Sequence, residues 1–241
     1  MVFRRYRCIS SMRKSIIITC LPHDGTPNQF ERVIQQPFPI LDFEWFPTAT
    51  LRDPAFSCFI ASVRKCSVKL LDGSDGRLRA SYKIIDHREQ FIVPHSLAFN
   101  MSIDKLYCGF KDAIEIFDVQ SPERELACTP VHRRKAVIAS KGIISALAFP
   151  RDAASGVYAA GSLYPSTTSS PNIALFSEAT GEIPVMFVGT ESHWAHGPSN
   201  AIRASITQLM FNPSRPYLLY ASFRRHDAIY HHSWNVVLSM S

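Results

Sequence analysis

Short apolar runs recur along this chain in a fixed order, with polar turns between them. In the clearest copy the runs are residues 95–100, 106–110 and 113–118, and residues 142–150, 157–162 and 172–177 repeat the same order. Such runs, with period-two alternation and polar punctuation, are typical of β-strands. Further copies begin at residues 40 and 205. The pattern therefore predicts an all-β chain built from one recurring unit.

Each copy carries an aromatic anchor at the end of its first strand. The anchors Phe46, Phe99, Phe149 and Phe211 stand 53, 50 and 62 residues apart, somewhat more than the roughly 40–45 residues of a minimal WD-type propeller blade. The repeat predicts an incomplete β-propeller over residues 37–241, with about four visible blades near 37–90, 91–135, 136–200 and 201–241. Residues 1–36 are predicted to form a basic N-terminal arm and a candidate last strand of a preceding blade.

The second strand of each copy contains a small residue. Strands that converge toward a propeller axis leave little lateral room, so small side chains fit there. The residues concerned are Ala61, Gly109, Ala160 and Ala221.

The copy around Phe99 resembles a WD repeat at its third strand, which ends Phe117-Asp118 where such repeats carry Trp-Asp. In WD-type blades this position joins a buried hydrogen-bonded network with a His near the blade start and an Asp before the third strand. The resemblance therefore places His95, Asp112, Phe117 and Asp118 in a structural blade network. Because Phe lacks the indole N–H donor, we expect that network to be partial.

Several segments in order resemble the telomerase Cajal body protein family, a group of WD-repeat proteins, over about residues 37–225. They are GRLRASY (76–82), DHRE (86–89), HSLAF (95–99), LYCGF (106–110) and GIISALAF (142–149). The resemblance implies a nuclear protein, localised to Cajal body-like structures, that binds small nuclear RNA of the Cajal-body or telomerase class and aids ribonucleoprotein assembly or localisation. The implied partners are that RNA, the proteins of its particles, and other proteins on the propeller faces. Fungal relatives imply a link to pre-mRNA splicing, and a cytoplasmic location stays open. No RNA-contact residue is carried over.

Composition fits a folded domain, with 46% hydrophobic and 19% charged residues. Sixteen prolines argue against long helices. The formal net charge of +6 is compatible with phosphate-bearing partners, but it is also ordinary for a soluble protein.

The chain lacks recognisable catalytic and metal-binding motifs. Its six cysteines form no CxxC pair and have no metal-ligand spacing with the nine histidines, which predicts reduced thiols and no metal. Nucleophile-elbow, phosphate-loop, HExxH and dinucleotide-binding motifs are absent from the sequence. We therefore expect no catalytic residues and no cofactor, while an enzyme or cofactor binder remains the weakest alternative. A generic WD-repeat scaffold for protein partners is the stronger alternative.

Two basic segments are candidates for contact with RNA. Arg133, Arg134 and Lys135 lie in a predicted connection between blades, and Arg224 and Arg225 follow the last complete strand. Cations there can neutralise phosphates, and the neighbouring Phe223 offers a ring for stacking on a base. Solvated loops are the alternative interpretation. Arg77 and Arg79 alternate on a strand and are expected to face solvent.

The ends depart from the repeat. Residues 1–14 are rich in Arg and Lys, like a basic arm or a weak presequence, and residues 16–21 are too short for a membrane span, so no membrane partner is expected. We interpret 16–21 as the final strand of a preceding blade. The pattern breaks after His232, in the middle of a blade. An open arc of blades exposes sheet edges, so we expect edge pairing or aggregation.

Overall fold

The structure is a computed structural model that describes residues 6–21, 30–49, 53, 56–84, 91–119, 134–137, 142–151, 156–163, 173–179, 184–188, 205–224 and 229–233. All regular elements in these ranges are β-strands, and they form five antiparallel sheets. The described residues divide into two compact units, residues 6–94 and residues 95–233. The predicted all-β fold is confirmed, and the sheets are consistent with a partial WD-repeat propeller.

The first unit contains two sheets in which neighbouring strands follow one another in the chain. One consists of β1 (Tyr6–Met12), β2 (Ser15–Leu21) and β3 (Phe30–Gln35); the other consists of β4 (Ile40–Trp45), β5 (Cys58–Val63), β6 (Val68–Asp72) and β7 (Leu78–Tyr82). Alternate apolar residues of β2 and β5 form the shared core. They are Ile16 and Ile18 from β2, and Phe59, Ala61 and Val63 from β5.

The N-terminal region differs from the basic arm that the sequence predicts. β1 and β2 form a hairpin whose turn is Arg13-Lys14, with Arg13 at a φ of 48°. β2 therefore lies in the middle of its sheet, paired with β1 and β3, instead of ending it. The basic residues that suggested an arm include the turn of this hairpin. Residues 1–5 lie outside the described ranges.

The second unit contains three sheets of the same meandering kind. The first consists of β8 (Ser96–Phe99), β9 (Lys105–Gly109), β10 (Ala113–Asp118) and β11 (Arg134–Val137). The second consists of β12 (Ile143–Ala148), β13 (Val157–Leu163), β14 (Ile173–Ser177) and β15 (Pro184–Val188). The third consists of β16 (Ile206–Phe211), β17 (Leu218–Phe223) and β18 (Ile229–Ser233).

Within the second unit, successive sheets pack face to face through apolar side chains. Tyr107 of the first sheet lies against Phe149 and Tyr158 of the second, with ring centroids 4.9 Å apart in both cases. Tyr158 also stacks on Phe149 and Phe176, at 5.3 and 5.2 Å. Because aromatic pairs at this spacing add to the energy of burial, this cluster stabilises the contact between the two sheets.

A serine-to-carbonyl hydrogen bond also joins successive sheets of the second unit. Ser96 Oγ donates to Ile144 O at 3.0 Å, and Ser145 Oγ donates to Ile206 O at 2.6 Å. A change of register marks a β-bulge at Ser145, between Ile144 and Ala146. The bulge at Thr207 follows Ile206 in the same way. Bulges commonly redirect a strand or a side chain, and here the carbonyl just before each bulge accepts the bond.

Two glycines lie where these sheets approach each other closely. A Cβ placed on Gly161 would lie 2.6 Å from Cγ2 of Ile206 and 3.1 Å from Cδ1 of Leu209. A Cβ on Gly109 would lie 2.8 Å from Cγ2 of Ile144 and would also collide with Ser96 Oγ. The isoleucine of the following sheet therefore occupies the space that a side chain would need.

We expect Gly161→Ala to lower the free energy of unfolding by about 1–3 kcal/mol, because overpacking forces backbone or rotamer shifts. Urea denaturation followed by circular dichroism measures the effect. Gln208→Ala, on the exposed side of β16, is the control and should change stability by no more than about 0.5 kcal/mol. Equal stability of Gly161→Ala and the wild type would contradict this packing.

Candidate nucleic-acid interface

Arg134 and Lys135 lie in a β-strand, where the sequence predicts a connection between blades. They begin β11, and their backbones pair with Ile116 and Glu115 of β10 respectively. β11 is the outermost strand of its sheet, next to β10 and farthest from β8. Arg133 lies outside the described residues. The strand holds the backbone of Arg134 and Lys135 at a sheet edge.

Arg224 follows β17 and is exposed, and its backbone N–H donates to Ser205 O at 2.8 Å. The neighbouring aromatic does not have the expected role, because Phe223 is buried in the core formed with Leu219 and Ala221. The strand period points Phe223 toward the preceding sheet, so its ring is not available to stack on a base. Arg225 lies outside the described residues.

The structure does not bring the two basic segments together. Arg134 and Lys135 belong to the sheet β8–β11, and Arg224 belongs to the sheet β16–β18. The sheet β12–β15 lies between them, since β12 contacts β8 and β9 on one side and β16 on the other. The two segments are therefore separate candidate contacts, each on its own sheet.

The residues of the predicted blade network occupy different environments. Phe117 is buried in β10, while Asp118 at the end of this strand is exposed. Asp112 has a φ of 59° and links its sheet to the next one: its N–H donates to Gly142 O at 2.8 Å, and its Oδ1 accepts from Gly142 N at 2.5 Å. The backbone N–H of His95 donates to Gly109 O at 2.7 Å. The shared network itself stays a prediction.

A buried carboxylate that the sequence did not single out lies at the end of β6. Asp72 accepts hydrogen bonds from Ser74 N at 2.7 Å and Ser74 Oγ at 2.5 Å, and from Arg79 Nε at 2.9 Å and Nη2 at 2.5 Å. Burial alone would raise the pKa of Asp72, but the bonds from Ser74 and Arg79 outweigh it and lower the pKa to about 2.

This arrangement corrects the expectation for Arg79, whose side chain is only 23% exposed and binds Asp72, whereas Arg77 is 72% exposed as expected. The signal that identifies the site is the turn Asp72-Gly73-Ser74, since short polar side chains in such turns bond to nearby backbone.

The described residues offer little for metal or redox chemistry. No group of three His, Cys, Asp or Glu side chains among them is arranged to hold a metal ion. Cys58, Cys66 and Cys108 are unbridged, and burial raises the pKa of the Cys58 thiol. No helix with the length and hydropathy of a membrane crossing occurs in the described part of the chain.

Comparison with known proteins extends this description. Telomerase Cajal body protein 1 from Rattus norvegicus is 31% identical over 123 residues, which are 51% of this chain and 22% of the relative. The Homo sapiens protein of the same name is 30% identical over 123 residues, with the same coverage of 51% and 22%. The chain is similar to the telomerase Cajal body proteins over about half of its own length. This confirms the resemblance predicted from the sequence.

A second kind of relative carries a different name. Guanine nucleotide-binding protein negative regulator 1 from Schizosaccharomyces pombe is 30% identical over 97 residues, which are 40% of this chain and 24% of the relative. No family model matches the chain. In each of these comparisons the match spans about a fifth to a quarter of the curated relative. The similarity to the telomerase Cajal body proteins therefore concerns a part of those proteins.

Proposed function

We propose that this chain is a non-catalytic WD-repeat protein that binds small nuclear RNA of the Cajal-body or telomerase class and aids assembly or localisation of the ribonucleoprotein. The observation that carries the proposal is its similarity to relatives named for telomerase and the Cajal body, over half of the chain. The proposed location is the nucleus, and the proposed partners are the RNA and the proteins of its particle.

Arg134, Lys135 and Arg224 support an RNA-binding role through charge and position. Two stand on an outer strand and one on an exposed turn. Each cation that contacts a phosphate releases condensed counterions, so binding should weaken steeply as salt rises. The proposed RNA contacts include Arg133 and Arg225, the sequence neighbours of these residues.

A protein scaffold is the second candidate function. It is favoured by the similarity to a negative regulator of a guanine nucleotide-binding protein, a relative whose name refers to a protein partner. WD-repeat folds present faces that suit peptides and protein domains, and fold alone does not select between the two functions. Under this alternative the sheet faces bind proteins and the basic segments are solvated.

Capture of the tagged full-length chain from nuclear extract, followed by sequencing of the bound RNA, tests the proposal. We expect enrichment of small nuclear RNA of the Cajal-body class. Substituting Arg133, Arg134 and Lys135 by Ala together should weaken binding of the enriched RNA and lower the salt slope by about 0.7 for each phosphate that is no longer neutralised. Arg224→Ala with Arg225→Ala tests the second segment in the same assay.

The matched control is Lys111→Ala with Arg151→Ala, two exposed basic residues in the same unit and outside the proposed contacts. These substitutions should leave the enriched RNA and its salt slope unchanged. Recovery of a protein complex without RNA would support the scaffold function and contradict the RNA-binding proposal.

A further inference from the structure

Two basic turns of the first unit meet at one short linker, residues 36–40. The Arg13-Lys14 turn lies on one side, where Ile40 N–H donates to Arg13 O at 2.8 Å and Gln36 N–H donates to Lys14 O at 2.7 Å. The Arg64-Lys65 turn lies on the other side, where Arg64 N–H donates to Pro39 O at 2.9 Å. These backbone bonds hold two turns with four basic residues against the linker, although the turns are about fifty residues apart in the sequence.

The cations of this linker patch, Arg13, Lys14, Arg64 and Lys65, are all exposed. None of these four cations forms a salt bridge with a described carboxylate. Four exposed cations on two turns that bond to the same linker make this surface positive, and a positive surface attracts anions.

The linker also carries an aromatic ring, next to one of these cations. Phe38 is 38% exposed, and Lys65 Nζ lies 5.8 Å from its ring centroid. A cation at this distance from a ring is a favourable cation–π contact. The patch therefore combines a partly exposed ring with a cation beside it and with a second basic turn bonded to the same linker.

The backbone at the patch has an uncommon conformation. Arg13 and Lys65 have φ values of 48° and 58°, a region that residues other than glycine rarely adopt. Such conformations are usual in tight turns, so the turns themselves account for these φ values. One of them lies in each of the two turns that bond to the linker.

We propose that the linker patch binds single-stranded RNA, with a base stacked on Phe38 and the neighbouring phosphates held by Arg13, Lys14, Arg64 and Lys65. Proteins that bind single strands combine stacking aromatics with a basic groove in this way. A duplex or an acidic peptide supplies charge but no free base for the ring. This inference rests on the proposed RNA-binding function and assigns it a site in the first unit.

The test measures fluorescence anisotropy of a labelled single-stranded oligoribonucleotide of about ten nucleotides, a length within the site sizes of such proteins. Replacing Arg13, Lys14, Arg64 and Lys65 by Ala should weaken binding roughly tenfold or more at physiological salt and lower the salt slope by about 0.7 for each phosphate left without its cation. The matched control removes four exposed charges elsewhere, at Lys83, Lys111, Arg151 and Arg215. Equal losses in the two quadruple variants would mean that net charge alone drives binding, and would overturn the proposal.

Variants at Phe38 distinguish the contribution of base stacking from the contribution of charge. Phe38→Ala should weaken binding roughly fivefold to 150-fold, the range found for loss of one base–aromatic stack, with no change in the salt slope. Phe38→Trp should restore it. If Phe38→Ala binds like the wild type, or if duplex RNA competes as well as the single strand, the proposal is overturned.

Crosslinking the wild-type chain to a 4-thiouridine oligoribonucleotide, with mass spectrometry of the peptides, keeps the test independent of variant folding. Crosslinks at residues 36–40 support the site, and crosslinks confined to other peptides overturn it. Failure of the patch proposal and failure of the proposed RNA class give different results. Enrichment of small nuclear RNA that persists in the quadruple patch variant refutes only the patch, whereas oligonucleotide binding at the patch without that enrichment refutes only the RNA class.

Discussion

Tyr158→Ala should lower the free energy of unfolding by about 3–5 kcal/mol, the range for truncating a large aromatic side chain in a core. Tyr158 is fully buried, and its ring packs against Tyr107, Phe149 and Phe176. Truncation removes this aromatic packing and leaves a cavity between two sheets that depend on each other for burial. Urea denaturation monitored by circular dichroism measures the loss of stability.

The hydroxyl of Tyr158 should contribute nothing to this loss. It is buried and has no hydrogen-bond partner among the described residues, and burial raises the pKa of this phenol further above its ordinary value. Removing a buried hydroxyl that lacks a partner is neutral or slightly stabilising, so Tyr158→Phe should match or exceed the wild type in stability. Tyr217→Ala, at an exposed tyrosine, is the second control and should cost little. A loss in Tyr158→Phe as large as in Tyr158→Ala would show that the hydroxyl, and not the ring, stabilises the core.

The strands and their order could be predicted because each has its own local pattern. Runs that end at Phe99, Phe149 and Phe211 alternate with period two, and β8, β12 and β16 end at or next to these anchors. The small residue expected in each second strand also has a visible cause at Gly109, where Ile144 of the next sheet occupies the space. Periodicity and size are local properties, so they can be read from neighbouring residues.

Pairing partners and side-chain direction could not be predicted in the same way. β2 has an apolar pattern that fits either the end or the middle of a sheet, and only its pairing with β1 and β3 decides. Phe223 precedes a run of polar residues but faces the core, because it is the last residue of β17 and the strand period continues to it. Bringing the Arg13 and Arg64 turns to one linker depends on hydrogen bonds between distant segments, which no sequence window contains.

The environment of Asp72 could not be predicted for the same reason. Its neighbours in sequence indicate a turn, but its burial and its bonds to Arg79 depend on how β6 and β7 pair. Breaking a buried ion pair by removing one partner costs about 3–5 kcal/mol, and Arg79 remains partly hydrated. We therefore expect Asp72→Ala to lower the free energy of unfolding by about 3 kcal/mol at pH 7, measured by urea denaturation.

This loss should depend on pH in a definite direction. The pKa of Asp72 in the folded chain is about 2, below its ordinary value of 3.8, so the stabilisation is present above pH 4 and is lost as the pH falls toward 2. The shift corresponds to about 2 kcal/mol, and the difference between the wild type and Asp72→Ala should shrink to about 1 kcal/mol at pH 2. Asp75→Ala removes the same charge from the same turn, where Asp75 Oδ1 accepts from Arg77 N in an exposed bond. Its effect at pH 7 should be smaller, because an exposed bond contributes little to stability. If the wild type and Asp72→Ala lose stability in parallel on acidification, the carboxylate is not held in its charged form by Ser74 and Arg79.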